Sequence, residues 1–130
     1  MNVYKMKGEY MKYYELGSSK IAVSEMGLGC MSYGARIDQA ESFERMDEYV
    51  EAGGNFFDTA NIYGRHEKSN IQNGSEEIIG KWLKKSGKRN NVIIASKVGF
   101  SYPGIDSGTS KKQIKEECEK SLKRLGVDYL

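Results

Sequence analysis

The chain has 130 residues, 38% apolar and 29% charged, a balance that suits one soluble globular domain better than a disordered segment. The net charge of +2, spread over scattered lysines, gives no field for nucleic acid or a membrane surface. No run approaches the roughly 18 apolar residues of a membrane span; the charged start MNVYKMKGEY is no secretory signal, and the two cysteines read as reduced thiols, so a cytoplasmic location is expected.

Residues 1–10 read as an extension, because the patterned sequence begins at Met11. Lys12–Leu16 and Ile21–Ser24 are short β-like pieces around Gly17-Ser18-Ser19-Lys20, the composition of a hairpin turn. Met26–Cys30 is a small glycine-rich run with the character of a buried strand. Ala40, Phe43, Met46 and Val50 recur at three- and four-residue steps, which is one helix face, and Gly53-Gly54 ends it. Asn55–Thr59 is a second strand. Ser75 offers a helix N-cap, and Glu76 and Glu77 suit the positive end of the helix dipole. Ile78, Ile79, Trp82 and Leu83 form that helix's apolar face, before Lys84, Lys85 and Gly87 close it. Val92–Ser96 is a third strand. Ser110 and Gln113 match a capping box, Ile114, Cys118, Leu122 and Leu125 follow on one face, and Gly126 stops the helix. Val127–Leu130 has the composition of the start of a fourth strand.

Strand starts near residues 26, 55, 92 and 127 give a repeat of roughly 30–37 residues, the size of a βα unit. Strands alternating with helices predict a parallel sheet, and both a doubly wound sheet and a (β/α)₈ barrel satisfy the order. Eight units need on the order of 250 residues or more. On the barrel reading, residues 11–130 form its N-terminal part: a hairpin, three βα units and the start of a fourth strand.

Three side chains stand out by position. Asp58 is near the end of the second strand, and Lys97 directly follows the third, 39 residues later and close to one repeat. A parallel sheet puts both on the rim where ligands bind in such folds. Tyr63, five residues after Asp58, leaves the same rim. An ammonium beside a phenol stabilises the phenolate and lowers the phenol's pKa, and a carboxylate beside the ammonium keeps it charged in a partly apolar pocket. A tyrosine tuned in this way can give a proton to a carbonyl oxygen as hydride arrives at the carbon; such positioned transfer supplies about 10²–10⁴ in rate. Spacing alone leaves plainer roles open: Asp58 as a loop former, Lys97 as a surface residue, Tyr63 as a packed aromatic.

The remaining candidates carry less. His66 lies in HEKSN, which is not H-E-x-x-H, so no metal site is expected and the residue reads as a solvated loop position. Cys30 and Cys118 read as small buried residues, with Cys30 near the presumed site and open to oxidation. There is no G-x-G-x-x-G, which speaks against a Rossmann site.

Four segments resemble the aldo-keto reductase signature: GLGCMSYG at Gly27–Gly34, GGNFFDTANIYG at Gly53–Gly64, SEEIIGKWLK at Ser75–Lys84 and VIIASKVG at Val92–Gly99. The closing KSLKRLGVDYL is similar to that family's third helix and fourth strand, and FDTA-x-x-Y-G is the specific part. The resemblance implies an α/β fold, the N-terminal part of a (β/α)8 TIM barrel, preceded by a β-hairpin that caps the barrel bottom and carries Tyr10, Tyr13 and Tyr14. It implies Tyr63 as proton donor, Lys97 lowering its pKa and Asp58 holding Lys97, with a fourth member, a histidine, beyond Leu130. The implied cofactor is NADP(H), flanked by Gly29, Met31, Ser32, Tyr33 and Asp58, and Phe100 and Tyr102 wall the substrate pocket or pack its loop. The implied activity is reduction of a small aldehyde or ketone to an alcohol. The 130 residues alone are expected to be inactive and to self-associate through open strand edges. Two other readings stay open: a non-catalytic, cofactor-binding regulatory subunit on the same scaffold, as in relatives that partner membrane channels, and an inactive gene fragment.

Overall fold

The computed structural model describes residues 11–64, 74–101 and 107–130. The expected extension over residues 1–10 lies outside them, as do Tyr10, His66 and Tyr102. The chain opens with an antiparallel hairpin, β1 (Tyr13–Glu15) against β2 (Ala22–Ser24), with Tyr13 opposite Ser24. Three further strands, β3 (Leu28–Gly29), β4 (Phe56–Asp58) and β5 (Ile93–Ala95), form a parallel sheet in sequential order. Gly29 pairs with Asp58 and Asp58 with Ala95, so the three carboxyl ends share one rim. The order never reverses, and the switch point of a doubly wound sheet is absent among the described residues.

Helix α1 (Gln39–Glu51) links β3 to β4, α2 (Ser75–Ser86) precedes β5, and α3 (Lys111–Leu125) follows it. Asp38 caps α1, its Oδ1 accepting from Glu41 N–H at 2.9 Å. Ser110 and Gln113 form the expected capping box on α3, and Gly87 and Gly126 close α2 and α3 in the left-handed conformation.

Three expectations are corrected. Ser75 is not the cap of α2: Gly74 holds that place, and Ser75 is the first helical residue, its hydroxyl turned to Thr59 at 2.8 Å. The buried row of α3 is Glu117, Ser121 and Leu125, while Ile114 and Cys118 are exposed and Leu122 is only partly covered. The row is shifted because α3 meets α2 through polar partners as well as through Leu125. Over Val127–Leu130 no strand forms, because its backbone has other partners. Val127 N–H returns to the Leu122 carbonyl at 3.1 Å, and the Tyr129 carbonyl accepts from Arg89 at 2.7 Å, with the guanidinium stacked on the Tyr129 ring.

The core lies between sheet and helices. Phe57 at the centre of β4 is fully buried against Trp82 of α2, ring centroids 5.4 Å apart, with Met46, Ile79, Ile94 and Leu125 around them. A fully buried side chain of this size stabilises by roughly 1.5–3 kcal/mol. The indole N–H of Trp82 reaches Asp47 of α1 at 3.0 Å, which ties the two helices. The hairpin closes the opposite end from the rim. The Tyr13 hydroxyl donates to the Gly53 carbonyl, and Ser24 and Asn55 exchange hydrogen bonds of 2.8 and 3.1 Å. The Tyr49 hydroxyl of α1 donates to Met26 and accepts from Phe56 N–H.

Candidate active site

The residues singled out by spacing meet at the carboxyl ends of β4 and β5. The ladder between these strands continues past both. Thr59 N–H donates to Ala95 at 2.9 Å and Asn61 N–H to Lys97 at 3.1 Å. Held there, Lys97 Nζ donates to Asp58 Oδ1 at 2.5 Å and to the Thr59 carbonyl at 2.8 Å, and sits 4.8 Å from the centroid of the Tyr63 ring. Partial burial alone would pull the Lys97 ammonium down, but its hydrogen bonds with Asp58 and Tyr63 outweigh this and hold it above the usual lysine value. The Lys97 and Asp58 side chains are 43% and 47% exposed, so the pair stabilises the fold by only about 0–1 kcal/mol, and its importance is local.

Tyr63 is fixed by its backbone. Its N–H donates to Ala60 at 3.1 Å, and its carbonyl accepts from Ser75 N–H, in the first turn of α2, at 2.8 Å. Gly64, at φ +76°, follows because any Cβ there would stand 2.3 Å from the Tyr33 carbonyl.

The residues expected around a nicotinamide divide. Gly29 faces open space beside Asp58, since a Cβ built on it meets no atom within 4 Å. Met31 is 54% exposed, and Ser32 turns its carbonyl to the N–H groups of Ala35, Arg36 and Ile37. Tyr33 departs from the expectation: it is 3% exposed, packed in the core with Cys30 and Met46, and so does not present its ring to the rim. Phe100 is exposed, three residues after Lys97. Among the described residues, no three His, Cys, Asp or Glu side chains are placed to hold a metal ion. No helix there is long and apolar enough to cross a membrane.

Behind the rim is a polar layer that sequence reading missed. Ser96 donates to Glu76 at 2.6 Å, and Glu76 also accepts from Arg124 at 2.5 Å. Asn61 donates to Glu117 at 3.0 Å, and Glu117 accepts from Lys120 at 2.7 Å. Desolvation pushes the Glu117 carboxyl up, but the bonds from Lys120 and Asn61 prevail and hold it below the usual carboxylate range. The available signal was charge on otherwise packed helix faces; apolar periodicity does not register it.

Known proteins resemble this chain along most of its length. The family model for the Aldo/keto reductase family matches residues 25–130. The protein named tas from Escherichia coli (strain K12) is 36% identical over 126 residues, covering 92% of this chain and 36% of that protein. An uncharacterized oxidoreductase, YrpG, from Bacillus subtilis is 38% identical, covering 92% of this chain and 38% of YrpG. A solved aldo-keto reductase from Bacillus halodurans, in its holo form, superposes with a TM-score of 0.75 at 40% identity, over 93% of this chain and 38% of that one. The chain thus spans little more than a third of the length of these relatives.

Proposed function

Because the chain belongs to the aldo/keto reductase family and forms the N-terminal part of a (β/α)₈ barrel, we propose that the protein carrying it reduces an aldehyde or ketone to an alcohol with NADP(H). The observation that carries this reading is one ammonium, Lys97, bonded to Asp58 and standing against Tyr63. The reduced nicotinamide, when bound, supplies the hydride. Gly29, Met31, Ser32 and Asp58 would hold it, and they fit: the glycine leaves room at the strand end and Met31 gives an apolar contact. The Tyr63 hydroxyl gives its proton to the carbonyl oxygen as that oxygen becomes an alkoxide. Lys97 stabilises the phenolate left behind, and water restores the proton. Asp58 keeps Lys97 charged and aimed, and Phe100 borders the substrate. Free Cys30 and Cys118 suit a reducing, cytoplasmic compartment.

Replacing Tyr63→Phe in the protein carrying this segment is expected to lower carbonyl reduction by about 10²–10⁴ with cofactor binding retained. Reduction at the wild-type rate would remove Tyr63 as the acid. One observation favours a second reading. A protein named as a probable voltage-gated potassium channel subunit beta from Arabidopsis thaliana is 35% identical over 92% of this chain. A regulatory subunit would bind NADP(H) without turning over a panel of aldehydes; the intact Asp58, Tyr63 and Lys97 favour the enzyme.

A further inference from the structure

We infer that Glu117 of α3 and Glu76 of α2 are positioning residues, acting from behind the rim through Asn61 and Ser96 to fix Tyr63 relative to Lys97. The inference rests on the reading above that Tyr63 and Lys97 work together. Regular strand pairing ends at Asp58 and Ala95, and the two hydrogen bonds beyond it, from Thr59 and Asn61, hold the rim in register. An extension of this kind frays unless its side chains are anchored, because exposed terminal pairing opens easily.

The anchors lie in the helix layer. Side chains alternate along an extended chain, so when Lys97 leans over Asp58 at the rim, Ser96 points back. There its hydroxyl meets Glu76, which is 1% exposed. Asn61 is also turned inward, 2% exposed, with its amide on the buried Glu117. Arg124 and Lys120 supply the counter-charges, and Arg124 also bonds Ser121 at 3.0 Å. Lys120 and Arg124 are four residues apart on α3, so one helix face balances both carboxylates.

Stability alone does not call for this arrangement. Two buried carboxylates cost desolvation, and well-packed apolar residues of like volume often hold helices as well or better. An apolar contact cannot fix the direction of a neighbour, whereas a hydrogen bond can. The two residues so fixed stand two places before Tyr63 and one place before Lys97, and Asn61 carries the backbone bond that joins the segments.

The test compares Glu117→Ala and Ser96→Ala with Glu117→Gln, which keeps an acceptor for Asn61, in the protein carrying this segment. With a simple aromatic aldehyde, each alanine variant is expected to lose about ten-fold in kcat, the effect of about 1.4 kcal/mol. KM should stay within about two-fold, and Glu117→Gln should recover most of the rate. A readout without turnover is the titration of Lys97 by NMR of ¹³C-lysine-labelled protein: it should return toward the ordinary lysine value in the alanine variants. Lowered melting temperatures with kcat, KM and the Lys97 titration all unchanged would overturn the inference and leave the carboxylates as fold stabilisers only. If Lys97 shifts as expected while Tyr63→Phe leaves reduction intact, the positioning stands and the proton-donor reading falls. Ser96→Ala removes a single hydroxyl, so it reports even where a Glu117 variant fails to fold.

Discussion

Cys30 directly follows β3 with its N–H on the Asp58 carbonyl at 2.9 Å and its thiol fully buried, while Cys118 is exposed on α3. Burial pushes the Cys30 thiol from 9.0 up to about 12, and the Asp58 carboxylate adds to the push. Only the thiolate reacts with disulfide reagents. At pH 8, a chromogenic disulfide should therefore label Cys118 at once and Cys30 no faster than the protein opens; equal rates would contradict this. The same shift carries a stability term. Above the ordinary thiol value the unfolded chain releases a proton that the folded chain keeps, so this contribution is present below pH 9 and is lost as pH rises toward 12. Cys30 is therefore a poor target for oxidation, although its place in the sequence suggested one. The meeting of Asp58 and Lys97 was legible because 39 residues is close to one repeat and a parallel sheet has one active rim. The burial of Tyr33 was not legible, since a lone aromatic in a loop carries no period that tells its inward side.

At the scale of elements, α2 and α3 approach through Gly80. A Cβ there would stand 2.6 Å from the Arg124 carbonyl and 2.8 Å from that of Leu125. Both atoms are backbone, so Gly80→Ala must push the helices apart. It is expected to destabilise by roughly 1–3 kcal/mol, the usual cost of overpacking, against about 1 kcal/mol of better helix propensity. Thermal unfolding followed by circular dichroism measures the balance, and an unchanged or raised Tm would contradict it. The helices themselves were easy to find in the sequence. Ser110, Gln113, Gly87 and Gly126 are strong local punctuation, and Trp82 and Leu83 keep the expected face. The face of α3 was misplaced because its inward row includes Glu117 and Ser121, which a count of apolar residues assigns to solvent. Val127–Leu130 misled for the opposite reason: its composition suits a strand, but strands need a partner, and these backbone groups bond to Leu122 and Arg89 instead.

For the molecule as a whole, the parallel sheet leaves the outer edges of β3 and β5 without a strand partner among the described residues. Unpaired N–H and C=O groups on such edges recruit other chains. Produced as these 130 residues alone, the protein is expected to show concentration-dependent association in light scattering; a monomer at every concentration would show that the edges are protected. The hairpin, by contrast, was predicted from its turn residues and is tied down at Gly53 and Asn55. Its capping role follows from where those anchors lie, at the end of the sheet away from Lys97.

Among the described residues, ion pairs run from fully solvated to deeply buried. Arg45–Glu41 and Lys112–Glu116 lie in solvent, with side chains 44–83% exposed, whereas Arg124–Glu76 is 14% and 1% exposed. In molar electrolyte the screening length shrinks to about 3 Å, which weakens the exposed pairs and scarcely reaches Arg124–Glu76. Acid too reaches Glu117 late, because its carboxyl takes up a proton and loosens its hold on Asn61 only when pH falls below the ordinary carboxylate range. Brine therefore relaxes the periphery, while the Glu117 latch in the interior opens only in strong acid.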